Sequence, residues 1–261
     1  MQTQSNGKSH RRGIYLLPNL LTSAGIFSGF YSIVASMQGH FDMAAITIFI
    51  AMVMDSLDGR VARLTNTQSE FGVQYDSLAD IVSFGLAPAL VVYNWSLMNL
   101  GKPGWLASFL YAACGALRLA RFNTQAASSD KRFFQGLPIP AAAGVIAGIV
   151  WLGHQYVLPP KALSIAIGLV TVTLGLLMVS NVRYNSFKKL DFKGKVPFFV
   201  VIIILLLFIA ISMNPPAILF VGFCGYALSG PIITLRYKHS KRKMRKQRYK
   251  NVSVDKDKND E

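Results

Sequence analysis

The sequence predicts an all-α integral membrane protein, a polytopic bundle of about eight transmembrane helices in which a six-helix core precedes two C-terminal helices and both termini are cytoplasmic. Three observations predict it. Hydrophobic residues make up 52% of the chain and charged residues 15%, against about 25% charged in a typical soluble domain, and the mean hydropathy is +0.39. Apolar runs approaching the roughly 20 residues that span a bilayer recur eight times. The basic residues also alternate with those runs. Of the 27 Lys and Arg, only Lys102 and Lys161 fall in loops on the side away from the termini, and it is cytoplasmic loops that carry such an excess.

The elements follow in order. A basic arm over residues 1–13 holds Lys8, Arg11 and Arg12 and leads into the first run, 14–37. The start KSHRRG is similar to a secretory or twin-arginine signal, but the run is long and no small-x-small cleavage site closes it, so it reads as an uncleaved first helix. The second run, 41–64, carries Asp55 and Asp58 and ends with Arg60 and Arg63; the third, 74–98, carries Asp76 and Asp80. The fourth, 104–124, closes with Arg118 and Arg121, and the fifth and sixth, 138–158 and 162–181, complete a membrane core over 14–181. Residues 182–236 form a basic loop and two further helices, 197–213 and 216–236, which turn tightly at Asn214-Pro215-Pro216. Residues 237–261 are a basic tail whose last stretch, NVSVDKDKNDE, reads as disordered.

A net charge of +15 raises the possibility of a nucleic-acid partner, but much of it lies in the tail segment KHSKRKMRKQRYK, with no nucleic-acid-binding fold signature beside it. Next to a membrane helix such a tail suits anionic lipid headgroups, at about 1 kcal/mol per basic residue near the surface. Nucleic acid is therefore not an expected partner. Cys114 and Cys224 each sit inside an apolar run and read as small core residues, and the four histidines show no metal-ligand spacing.

The four aspartates are the costly feature. An Asp near the bilayer centre costs about 2.5–3.5 kcal/mol, so four uncompensated ones cost on the order of 10 kcal/mol. Asp55 and Asp58 lie about 60° apart around the second helix, and Asp76 and Asp80 about 40° apart around the third, so each pair shares a face. If the two faces meet, four hard oxygen donors converge, suited to Mg²⁺ or Mn²⁺. Two divalent ions would balance four carboxylates and could clamp the oxygens of a phosphoryl transfer. Gly59, Ala62 and Gly72 suit close approach of a backbone or a bulky ligand, and Arg63 offers a fork of donors to a diphosphate.

The pattern Asp55-x-x-Asp58-Gly59-x-x-Ala62-Arg63, an eight-residue gap, then Gly72-x-x-x-Asp76-x-x-x-Asp80 resembles the signature of the CDP-alcohol phosphatidyltransferase family, with every fixed position present. The resemblance implies a helical membrane bundle that uses two divalent ions and a CDP-activated lipid donor. It implies that Asp55, Asp58, Asp76 and Asp80 bind metal and that Asp80 is also the general base. Asp58, Gly59, Ala62, Arg63 and Gly72 would then meet CDP-diacylglycerol. Pro18-Asn19-x-Leu21-Thr22 is similar to the family's opening motif, which adds Asn19 and Thr22 to that set. A homodimer in a bacterial-type inner or plasma membrane, with the active site at the cytoplasmic face, is expected from the same resemblance and the charge topology.

The signature leaves the acceptor open. Asn66–Phe71 with Ser83–Ala89, Ala116–Asn123 and Phe134–Gly144 together resemble the membrane-embedded phosphatidylserine synthases of this family, which makes L-serine the expected acceptor. Serine carries a carboxylate and an ammonium, and Arg118 and Arg121 share a helical face with Asn123 close by, so these three are the candidate serine ligands. Glycerol 3-phosphate, inositol phosphate and choline are the alternative acceptors. A cation-coupled transporter is the alternative of another class, disfavoured because the chain shows no internal repeat and its aspartates cluster at one membrane edge.

Overall fold

A computed structural model describes residues 9–125, 133–157, 160–185 and 198–234. Among them eight long helices run in order: α1 Ser9–Met37, α2 Phe41–Leu64, α3 Glu70–Trp95, α4 Lys102–Gln125, α5 Ile139–Gln155, α6 Pro160–Val179, α7 Phe198–Met213 and α8 Pro215–Thr234. They coincide with the eight apolar runs. The basic tail, Lys131, Arg132 and the loop lysines 188–195 lie outside the described residues.

Four stretches are long and apolar enough to cross a bilayer: Leu17–Met37, Glu70–Trp95, Lys161–Val179 and Pro215–Thr234. α5 and α7 are apolar but shorter, while α2 and α4, at 24 residues each, carry Asp42, Asp55, Asp58, Arg60 and Arg63, and Lys102, Arg118 and Arg121, respectively. The chain thus has the character of a polytopic membrane protein.

Boundaries shift where local chemistry overrides hydropathy. α3 begins at Glu70, not 74, because the Ser69 side chain accepts the Gly72 N–H at 3.0 Å and Glu70 favours the positive helix start. Gly39, at φ +81°, makes the tight α1–α2 turn, and Ser32 Oγ then donates to the Ala44 carbonyl at 2.7 Å. The α2 face Ala44, Ala45, Ile48 and Ala51 is buried, and α2 packs against α5, whose Ala141, Ala142, Ala143 and Gly144 are likewise buried. Small residues on both sides permit that approach.

The bundle is not purely helical. Two three-residue strands, β1 Phe133–Gln135 and β2 Arg183–Asn185, pair antiparallel, with Phe134 opposite Tyr184. This ribbon follows α4 and α6 at one end of the bundle, and α8 is seated on it. Tyr184 is wholly buried, donates to the Ala227 carbonyl at 3.0 Å and packs against the Tyr226 ring at 5.6 Å. Burial and the neighbouring Tyr226 push its hydroxyl up to about 12, so it remains a donor. Phe220 and Phe223 of α8 lie over Gly148 and Gly144, where a Cβ would come within 2.9 and 2.6 Å of them. α8 is therefore an integral wall of the bundle. α7, by contrast, buries none of its residues within the chain.

Gly136 links the ribbon to α5. Its φ of +79° and the Met178 carbonyl standing where a Cβ would go both require glycine. Gly136→Ala should cost at least about 1–3 kcal/mol and lower the melting temperature in detergent; an unchanged melting temperature would contradict this close approach.

Candidate active site

α2 and α3 bring the two aspartate pairs to one cleft. It is lined by Asp55, Asp58, Asp76 and Asp80, with Thr22 and Gly25 from α1 and Ala51, Ala79, Ser83 and Phe84 around them. Asp55, Asp76 and Asp80 each place a carboxylate oxygen within 4.8 Å of the others. Asp55 and Asp80 are close enough to share a hydrogen bond. Three carboxyls so near one another, in a cleft otherwise lined by a hydroxyl or two and apolar groups, need positive charge or protons, and an all-oxygen donor set fits a hard divalent cation.

Asp58 stands slightly apart. It is 5% exposed, accepts a hydrogen bond from Thr22 Oγ1 at 2.6 Å and faces the Gly59 N–H. Thr22 in turn lies 3.0 Å from the Pro18 carbonyl, so one hydroxyl ties the start of α1 to α2. Asn19, one turn before Thr22 on α1, has its Oδ1 3.7 Å from where a Gly72 Cβ would be, so the opening motif adjoins the signature. At Gly59 a Cβ would meet no protein atom, so nothing inside the chain demands glycine there; the open space suits a ligand. Ala62 is half-buried, and Arg63 is exposed at the end of α2.

α4 supplies the cationic side. Arg118 lies near enough to Asp80 and to Tyr226 of α8 to interact with both electrostatically, and its guanidinium is 5.8 Å from the Phe122 ring. Its Nε is buried with no hydrogen-bond partner. Arg121 points elsewhere. It donates through Nη1 to the Val179 carbonyl at 3.2 Å and through Nη2 to Asn181 Oδ1 at 2.8 Å and to Gln135 Oε1. Arg121 therefore ties α4 to the end of α6 and the ribbon, and the two arginines that share a helical face do different things. Asn123 Nδ2 donates to Ser77 Oγ at 3.1 Å, which joins the end of α4 to α3 beside Asp76.

Sequence reasoning missed Tyr226. It sits on α8, in a stretch with no motif, and only the docking of α8 on the ribbon brings it to Arg118. It also missed the irregular turn of α3 that follows Asp80, although Pro88 within an apolar helix was a visible sign.

The chain is similar to known proteins over most of its length. A profile of CDP-alcohol phosphatidyltransferases matches residues 15–177, from α1 to the end of α6. The chain belongs to the CDP-alcohol phosphatidyltransferase family. It is 44% identical over 197 residues to a Helicobacter pylori protein named CDP-diacylglycerol–serine O-phosphatidyltransferase, covering 75% of this chain and 83% of that one. A Methanocaldococcus jannaschii protein of the same name is 35% identical over 67% of this chain and 77% of its own length. An archaetidylserine synthase from Methanothermobacter thermautotrophicus is 36% identical over 64% and 69%. Within this member of the family, α7 and α8 lie beyond the profile match, yet Tyr226 of α8 is near enough to Arg118 to interact with it electrostatically.

Because the Arg121 donors are committed to Val179, Asn181 and Gln135, Arg121→Ala should lower the melting temperature, by the several degrees that losing hydrogen bonds from a charged group, about 1.5–3 kcal/mol, implies. The KM for the acceptor should stay near wild type. A raised acceptor KM with an unchanged melting temperature would instead place Arg121 in the acceptor pocket.

Proposed function

We propose that this protein transfers the phosphatidyl group of CDP-diacylglycerol to L-serine, giving phosphatidylserine and CMP. The observation that carries the reading is the meeting of Asp55, Asp58, Asp76 and Asp80 in one cleft, in a chain with relatives, one of them 44% identical, that are named for serine as acceptor. The carboxylates would hold two divalent ions, Mg²⁺ or Mn²⁺, with Asp58 steadied by Thr22. Bound there, such ions would supply the positive charge that a diphosphate donor needs.

The residues of the chain do the rest. Asn19, Thr22, Asp58, Gly59, Ala62, Arg63 and Gly72 form the donor side: open space at Gly59 admits the diphosphate, and exposed Arg63 meets its charge. Arg118 would take the serine carboxylate, a role supported by its buried, unpartnered Nε. The serine hydroxyl oxygen attacks the phosphorus bearing diacylglycerol, and the bond from that phosphorus to the CMP oxygen breaks. The hydroxyl proton passes to Asp80, and CMP leaves with the bonding pair. Catalysis of this kind is mostly positioning and electrostatics.

The same reading places the chain in a bacterial-type inner or plasma membrane. All eight helices span, both termini are cytoplasmic and the cleft opens to the cytoplasm, supported by Arg60, Arg63, Arg118 and Arg121 at its edge. Residues 1–13 are an arm, 14–181 the catalytic core, 182–236 a loop with two added helices, and 237–261 a tail for anionic lipids. A homodimer follows from the family alone.

The deciding experiment supplies membranes containing the protein with CDP-diacylglycerol, Mn²⁺ or Mg²⁺, and serine, glycerol 3-phosphate, inositol phosphate or choline in parallel. CMP release should require serine; release with glycerol 3-phosphate and none with serine would overturn the acceptor. Asp80→Asn should lower kcat by about 10²–10⁴-fold, and a wild-type rate would remove it as base. Arg118→Ala should raise the serine KM roughly tenfold or more, the weight of one hydrogen bond to a charged group, while leaving the CDP-diacylglycerol KM nearly unchanged; equal rises would mark a general structural role.

A further inference from the structure

α3 is underwound immediately after Asp80. Ile81–Leu86 forms one π-helical turn, and the Ala87 N–H donates to the Val82 carbonyl, five residues back instead of four. Residue 88 is proline, so no N–H is available to the Phe84 carbonyl four residues before it. That carbonyl belongs to a residue only 1% exposed, where an unpaired acceptor is costly. The Tyr111 hydroxyl, from α4, donates to it at 3.1 Å. Tyr111 is itself wholly buried, with Gly175 of α6 so close that a Cβ there would stand 3.2 Å from the Tyr111 Cα.

The underwinding sets which way the aspartates face. Asp76, Asp80, Phe84, Pro88 and Val92 recur every four residues; the two aspartates line the cleft, Phe84 borders it, and Phe84, Pro88 and Val92 are buried in the bundle. In an unbroken α-helix a four-residue repeat drifts by about 40° per step, or roughly 160° from Asp76 to Val92. One residue inserted at a π turn recovers about 100° of that drift. The turn thus lets one helix aim its carboxylates at α2 and still bury Phe84 and Val92. Ser83, within the turn, pins it to α1 by donating to the Gly25 carbonyl at 3.0 Å.

We propose that Tyr111 and Pro88 are positioning residues for the carboxylate cluster: together they maintain the π turn that directs Asp76 and Asp80 toward Asp55. The inference rests on reading that cluster as a divalent-metal centre. Both residues act through the α3 backbone.

The test uses the full-length protein purified in detergent. The Mn²⁺ dissociation constant is read from the loss of the free-ion EPR signal, beside the melting temperature, for wild type, Tyr111→Phe, Pro88→Ala and Tyr184→Phe. Tyr111→Phe and Pro88→Ala should each weaken Mn²⁺ binding several-fold. Pro88→Ala restores a helical N–H and should melt no lower than wild type, which separates misdirected carboxylates from a weakened fold. Tyr184→Phe, which also loses a buried hydroxyl-to-carbonyl bond but away from α3, should melt lower and bind Mn²⁺ as wild type does. Wild-type Mn²⁺ affinity in Pro88→Ala, or in a folded Tyr111→Phe, would overturn the proposal. A wild type that binds no Mn²⁺ and releases no CMP would instead overturn the reading of the cluster itself.

Discussion

Three carboxyls within 4.8 Å of one another govern this molecule. Each ionised pair at that distance repels by about 3–4 kcal/mol at an effective dielectric constant near 20, and the cleft holds little to offset it beyond Arg118 and the Thr22 hydroxyl. A bundle assembled for stability alone would separate such groups or replace them. Here α1, α2 and α3 cross closely enough to force them together, and the arrangement makes sense as a receptacle for positive charge. Asp55 and Asp80 illustrate the crowding, close enough to share a proton if one is present.

The closeness is bought by small residues and one irregular turn. Gly29 of α1 lies where an added Cβ would come within 2.7 Å of the Ser83 Cα on α3. The alanine-rich faces of α2 and α5 do the same deeper in the bundle. On the far side, α4 carries Arg118 to the cleft while Arg121, one turn on, holds the helix end to the ribbon. α8 closes that side by placing its phenylalanines over Gly144 and Gly148 and Tyr226 beside Arg118. A helix outside the shared family core is thus packed into the bundle that holds the cleft.

The helices and the aspartates were legible because both leave period and spacing in the sequence: long apolar runs, basic loops, and carboxylates at intervals of three and four. The cleft followed from helical geometry alone once two such faces were allowed to meet. What was not legible depends on partners distant in sequence. Three-residue strands in basic loops carry too little pattern to announce a ribbon. Arg118 and Arg121 are indistinguishable by spacing, and only the positions of Val179, Asn181 and Gln135 separate their roles. The start of α3 was misplaced because the Ser69 cap lies upstream of the apolar run. The π turn had one local cue, Pro88, but its consequence depends on Tyr111, which arrives from another helix.

The central claim is that carboxylates from α2 and α3 jointly hold a pair of divalent ions. Low-temperature EPR of the Mn²⁺-loaded protein tests it most directly, since two ions sharing ligands couple magnetically and two isolated ions do not. The account predicts a coupled Mn²⁺ pair in the wild type that disappears in Asp55→Asn on α2 and equally in Asp76→Asn on α3. Retention of the coupled signal in either variant, or its absence from an active wild type, would contradict it.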